Sequence, residues 1–237
     1  MSNNLYMKKI GEKAKLASLN LSNLNVDKRN SVLKQFSQYL GIYSQLILDS
    51  NKKDISNAKF KKIKDSMIDR LKLNNKKIAQ MRNSIEEIIR FKDPIGKTLS
   101  SWKRPNGLII KRVSIPIGVI GVIYESRPNV TSDVSTLCFK AGNVAILRGG
   151  SEAFHSNKIL AKLFKRALKK KKCDENCVQF VESKDRNHVD YLLSSMKNYI
   201  DVIIPRGGKG LVKKVLKKSS ISIIGHYEGI CHVYVDR

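Results

Sequence analysis

The sequence predicts an α/β fold in which a parallel sheet follows a block of amphipathic helices. Two observations lead there. Up to about residue 100, apolar residues recur at helical spacing and no glycine-rich loop interrupts them. Beyond Asp93-Pro94-Ile95-Gly96 the pattern changes to short apolar runs alternating with helical patterns, which argues for strands joined by crossover helices. With 237 residues, 41% apolar and 28% charged, the chain can bury a core without disulfide or metal staples.

In the first part, Ile10, Ala14 and Ala17 mark one helical face. Val32, Leu33, Phe36, Leu40 and Tyr43 mark a second, and Ile78, Met81, Ile85, Ile88 and Ile89 a third. Ser2, Asp27 and Asn74 or Asn75 are the candidate N-caps. After the turn Pro105-Asn106-Gly107, residues 108–113 read as a strand and Pro116 starts another. GVIGVIY (118–124) and NVAIL (143–147) are apolar throughout, as strands buried on both faces are. Helices are expected at 130–140, 151–170, 187–197 and 208–218, and further strands at 178–181, 202–204, 221–224 and 232–235. The longest apolar stretch, 115–124, is broken by Pro116 and too short to span a bilayer. No secretory signal is visible in residues 1–20, so a cytoplasmic protein is expected.

The net charge of +26 is compatible with nucleic-acid binding. The excess, however, consists of 34 Lys against 12 Arg, beside 18 Asn and 26 Ile, the residues that A/T-rich codons supply. The lysines are also scattered, so a solvated basic surface is expected and a nucleic-acid partner is not. Cys173 and Cys177, with His188 nearby, lack the second ligand pair of a zinc site, so no metal is expected.

Ligands of parallel α/β sheets bind at the carboxyl ends of the strands. Four segments fall there. Glu125-Ser126-Arg127-Pro128-Asn129 is either a ligand-holding loop or an ordinary strand-to-helix turn capped by Asn129. Arg148-Gly149-Gly150-Ser151-Glu152 and Pro205-Arg206-Gly207-Gly208-Lys209-Gly210 each put glycines before a helix N-terminus, which favours an anionic group such as a phosphorylated cofactor. In the fourth segment, Cys231 beside His232 has the composition of a nucleophile and base, but neighbours on a strand face opposite ways, and a packing cysteine is equally consistent.

The segments 116–157, 201–215 and 223–236, with YESRPN, LRGGSEA, IPRGGKG and GICHVYVD in this order, closely resemble the gamma-glutamyl phosphate reductases, a family of the aldehyde dehydrogenase superfamily. The helical part, including Asp69-Arg70-Leu71, is compatible with it. The resemblance implies an aldehyde-dehydrogenase-like cofactor-binding domain with a Rossmann-like parallel sheet and N-terminal helices. Residues 1–100 would be its helical part and 101–237 its NADP-binding α/β part. It implies NADPH-dependent reduction of gamma-glutamyl phosphate to glutamate 5-semialdehyde and phosphate, the second step from glutamate to proline. Asn129 takes the place of the superfamily's oxyanion donor. Ser126, Arg127 and Pro128 line the cofactor and substrate loop, Arg148, Gly149, Ser151 and Glu152 the adenosine-ribose loop, and Gly207 and Gly208 the pyrophosphate turn. The family's nucleophilic cysteine lies downstream of GICHVYVD, so the nucleophile and the catalytic domain are expected beyond residue 237, with Cys231 the less favoured nucleophile. The full-length enzyme is expected to be a homo-oligomer, with glutamate 5-kinase as an associated protein. The alternatives are another acylating aldehyde dehydrogenase and a non-enzymatic basic nucleic-acid-binding protein.

Overall fold

A computed structural model describes residues 3–225. Five helices come first: α1 (Asn3–Ser22), α2 (Val26–Ile42), α3 (Ser44–Phe60), α4 (Asp65–Leu71) and α5 (Asn75–Arg90). The side chain of Asn25, not Asp27, caps α2 by accepting from the Lys28 N–H at 2.9 Å. Asp27 lies inside the first turn, where its charge suits the helix N-terminus. Asn74 caps α5 in the same way, accepting from the Lys77 N–H. Ser2 lies outside the described residues.

Helix α3 has no apolar periodicity because its buried face carries Asn51 and Asp54 beside Ile47 and Ala58. Asn51 accepts from the Leu73 N–H and donates to the Leu71 carbonyl and the Ser156 hydroxyl. These bonds fix α4 and the start of α5 against the later part of the chain.

A hairpin follows, β1 (Thr98–Lys103) antiparallel to β2 (Ile109–Val113), closed by a turn in which Gly107 holds φ +87°. Strand β1 is not anticipated by the sequence pattern because it faces solvent throughout. No strand begins at Pro116 either. The chain enters the sheet only after Gly118, at φ +123°, where an added Cβ would lie 2.2 Å from the Asp201 carboxylate.

The main sheet comprises β3 (Val119–Tyr124), β4 (Val144–Gly149), β5 (Val178–Phe180) and β6 (Val202–Arg206), all parallel, in the order β5-β4-β3-β6. Connecting them are α6 (Pro128–Lys140), α7 (Phe154–Lys170, after a short 3-10 turn at Ser151–Ala153) and α8 (Asn187–Ser194), and α9 (Lys209–Lys218) follows β6. The strand expected at 221–224 is reduced to a single parallel bridge, Ile203 to Ile223. The strand expected at 232–235 lies outside the described residues.

Helices α6 and α7 pack on the sheet and carry α2, α3 and α5, while α1 packs on β3, β4 and β5 and against α8. One continuous core runs from Met7 through the wholly buried β3 and β4 to Ile221, so the helical part and the sheet share it. Among the described residues no helix is long and apolar enough to cross a membrane.

Candidate functional site

The strand order places the topological switch between β3 and β6, because β4 and β5 extend the sheet one way and β6 returns on the other side of β3. At that point the Glu125 N–H donates to the Arg206 carbonyl at 3.1 Å, and the Gly208 N–H donates to the Glu125 carboxylate at 3.0 Å. The turn at 206–208 is built around that carboxylate. A Cβ on Gly207 would lie 2.6 Å from Glu125 Cδ and 2.8 Å from Leu211.

Two clefts open on either side of Glu125. One, of about 270 Å³, is lined by Ser126, Arg127, Gly207 and Gly208 together with Arg70 and Arg206. The other, of about 390 Å³, is lined by Arg148, Gly149, Ser151 and Glu152 with Lys184 and Arg186. Glu125 lines both, so it is the partition between them. Glu152 joins the two loops, since its carboxylate accepts from Ser126 at 2.8 Å and from Ser151 at 2.9 Å. Burial acts to raise the Glu152 carboxyl, but hydrogen bonds from its own backbone N–H, Ser126 and Ser151 outweigh it and hold the group below its ordinary value.

Arg148 is buried. Its guanidinium donates to the Gly149 carbonyl and, at 3.4 Å each, to the Lys184 and Asp185 carbonyls, which leaves Nε without a partner among the described residues. Burial lowers its pKa. Gly149 is glycine for packing, because an added Cβ would lie 2.2 Å from the Asn157 amide and 3.0 Å from the Tyr124 ring.

Beyond the turn after β4, the first turn of α7 is already supplied with an anion from the chain itself. The backbone N–H groups of His155 and Ser156 in the first turn of α7 already donate to the buried Asp54 carboxylate, at 3.0 and 2.8 Å, and the Ser156 hydroxyl does so at 2.7 Å. Asp54 and Ser156 are 102 positions apart in sequence, and no local pattern signals the pairing.

Pro128 is buried at the first position of α6, where its fixed φ suits the helix start and it lines neither cleft. Asn129 faces a third opening, of about 340 Å³, shared with Arg70, Lys77 and Arg127. Its Nδ2 donates to the Asp133 carboxylate at 3.1 Å, and an amide nitrogen has a second proton to give. Burial raises the Asp133 carboxyl, partly offset by this bond. Arg70, like Lys184, Arg186 and Lys214 in the second cleft, lines the site without having been marked as a site residue by the sequence; it sits on α4, whose seven residues are too short to show periodicity. Cys231 and His232 lie outside the described residues. Among the described residues no cluster of three metal-ligating side chains occurs.

A four-stranded parallel sheet with a switch-point cleft and N-terminal helices is a fold this chain shares with solved aldehyde dehydrogenases. A probable aldehyde dehydrogenase from Listeria monocytogenes superposes over 95% of the chain with a TM-score of 0.71 at 14% identity, which shows the fold. No protein-family profile matches.

Within that class the chain resembles the N-terminal portion of gamma-glutamyl phosphate reductase. It is 43% identical to the Desulfotalea psychrophila protein of that name over 228 residues, 96% of this chain and 54% of the relative. It is 42% identical to the Bacillus anthracis protein over 226 residues, 95% of this chain and 54% of the relative. The crystal structure of the Thermotoga maritima reductase matches with a TM-score of 0.89 at 38% identity, over 92% of this chain and 52% of the other. That from Saccharomyces cerevisiae matches with a TM-score of 0.86 at 30% identity, over 95% and 57%. The chain thus spans about half the length of the curated relatives it matches.

Proposed function

We propose that this chain is the dinucleotide-binding portion of a gamma-glutamyl phosphate reductase, an oxidoreductase of proline biosynthesis. The reaction consumes gamma-glutamyl phosphate, NADPH and a proton, and yields glutamate 5-semialdehyde, NADP⁺ and phosphate. The observation that carries this reading is the cleft at the β3–β6 switch point, closed by the Gly207-Gly208 turn, in a chain 43% identical to such reductases.

The residues present fit a dinucleotide. The two clefts adjoin across Glu125, and the second has the unpartnered Nε of Arg148 in its wall. Gly207 and Gly208 would hold the pyrophosphate, while Arg148, Gly149, Ser151 and Glu152 would line the adenosine end with Ser126 bridging the two. Lys184, Arg186 and Lys214 also line that end, and the Glu152 carboxylate is engaged by two serines; both features favour a 2′-phosphate and hence NADPH over NADH. When bound, the nicotinamide supplies hydride.

Asn129 would donate to the oxyanion that forms when a thiolate adds to the acyl carbonyl. By the same resemblance that thiolate lies downstream of the GICHVYVD segment, and Cys231 is the less favoured nucleophile. Self-association of the full-length enzyme, association with glutamate 5-kinase and a cytoplasmic location follow from the resemblance in the same way.

The test is a chain completed with the remaining half of a relative. Asn129→Ala is expected to lower kcat by about 10²–10³, while folded Cys231→Ala retains most activity. A folded Cys231→Ala that binds NADPH but is inactive would overturn the assignment.

A further inference from the structure

The chain has 46 basic residues, of which only 12 are arginine, so a basic position taken at random is arginine about a quarter of the time. The 270 Å³ cleft departs from that proportion. Its three basic residues, Arg70, Arg127 and Arg206, are all arginine. They come from three separate places in the fold: helix α4, the loop after β3 and the end of β6. None of the three guanidinium groups has a hydrogen-bond or ion-pair partner among the described residues. Three arginines elsewhere are engaged, Arg29 with Asp93, Arg148 with backbone carbonyls, and Arg166 over the rings of Tyr39 and Tyr43. The cleft's one carboxylate, Glu125, accepts from Gly208. Three like charges facing one cavity repel each other, and a bound anion offsets that repulsion. The planar guanidinium fork matches the oxygens of phosphate better than an ammonium does.

Arg70 and Arg127 also line the opening that holds the Asn129 amide, together with Lys77 and with Asp69, whose carboxylate is paired with Lys72. An anion held by them would therefore lie between Asn129 and the Gly207-Gly208 turn. In an acyl phosphate the carbonyl carbon and the phosphorus are separated by a single bridging oxygen, so a carbonyl at Asn129 puts its phosphate beside these arginines.

We infer that Arg70, Arg127 and Arg206 form the site for the phosphate of the acyl phosphate substrate, and hold it as the leaving group departs. That the phosphate belongs to the substrate rests on the reductase reading; that the arginines bind phosphate does not.

The probe is inorganic phosphate, titrated into the 237-residue chain by calorimetry at constant ionic strength, with NADPH titrated separately and circular dichroism confirming the fold of each variant. Arg70→Ala and Arg127→Ala are each expected to weaken phosphate binding about tenfold, the value of one charge-assisted hydrogen bond. Arg70→Lys should recover only part of it, Lys213→Ala on the exposed side of α9 should change nothing, and Arg70→Ala, at the residue shared with the Asn129 opening, should leave NADPH affinity unaltered. Unchanged phosphate binding in both alanine variants, equal weakening in Lys213→Ala, or no phosphate binding to the folded chain would overturn the site. A loss of NADPH affinity in Arg70→Ala equal to its loss of phosphate affinity would reassign the arginines to the dinucleotide and also overturn the inference. If NADPH fails to bind while the arginine variants still lose phosphate, the reductase reading fails and the phosphate site stands.

Discussion

The Glu125 carboxylate accepts a hydrogen bond from the Gly208 N–H at 3.0 Å, and this contact separates the two clefts at the switch point. An anionic side chain therefore stands at a helix N-terminus where an anionic ligand is proposed to bind. Glu125→Gln keeps the size and one acceptor but removes the charge. It is expected to tighten NADPH binding roughly two- to fivefold, the value of one unit charge at ~4 Å in a water-like dielectric. Fluorescence titration reads this directly, and a weaker complex would mean that the carboxylate is itself a ligand for the dinucleotide.

Asp54 holds the start of α7 through three hydrogen bonds from a position on α3, and it is buried. Asp54→Ala leaves two backbone N–H groups and a hydroxyl without their acceptor, so a loss of about 3 kcal/mol is expected. Asp54→Asn, which keeps one acceptor oxygen, should lose less. Urea unfolding of both variants tests the order; equal stabilities would show that solvent takes over the capping.

Burial pushes the Cys138 and Cys177 thiols up to about 12, with the Asp174 charge adding to the effect at Cys177. Both should resist iodoacetamide at neutral pH in the folded chain. The half-buried Cys173, raised less, should be modified ahead of them. Peptide mapping distinguishes the three. The sign for stability follows from the raised values. Below pH 9 the thiols are neutral in both folded and unfolded states and their contribution is fully present. It is lost as the pH climbs from about 9 toward 12, because only the unfolded chain ionises there. A stability profile that is flat between these values would contradict the burial of the two thiols.

The parts of the fold that were legible in the sequence are those whose burial has a period. Strands β3 and β4 are apolar at every position, and α5 and α7 carry clear apolar faces, so their existence and order could be read off directly. Helix α3 could not, because Asn51 and Asp54 occupy its buried face and look like surface residues until their partners 20 to 105 positions away are known. Strand β1 could not, because nothing covers it. At the site, Ser126, Gly207 and Gly208 announce themselves as a loop and a turn after apolar runs. Arg70 gives no such signal, as it lies on a seven-residue helix and reaches the cleft only once Asn51 has tied the end of α4 to α7. The anion at the start of α7 was hidden for a related reason, since Asp54 comes from α3 and no local pattern around the glycines after β4 announces it.

The most direct test of the dinucleotide site is titration of the folded 237-residue chain with NADPH and NADH, beside Gly207→Ala. The Cβ added in that variant would lie 2.6 Å from Glu125 and disturb the turn proposed to hold the pyrophosphate. Saturable NADPH binding is predicted, tighter than that of NADH and weakened at least tenfold in a folded Gly207→Ala. Absence of saturable NADPH binding to the folded chain, or binding undiminished in Gly207→Ala, would contradict a dinucleotide site at the β3–β6 switch point.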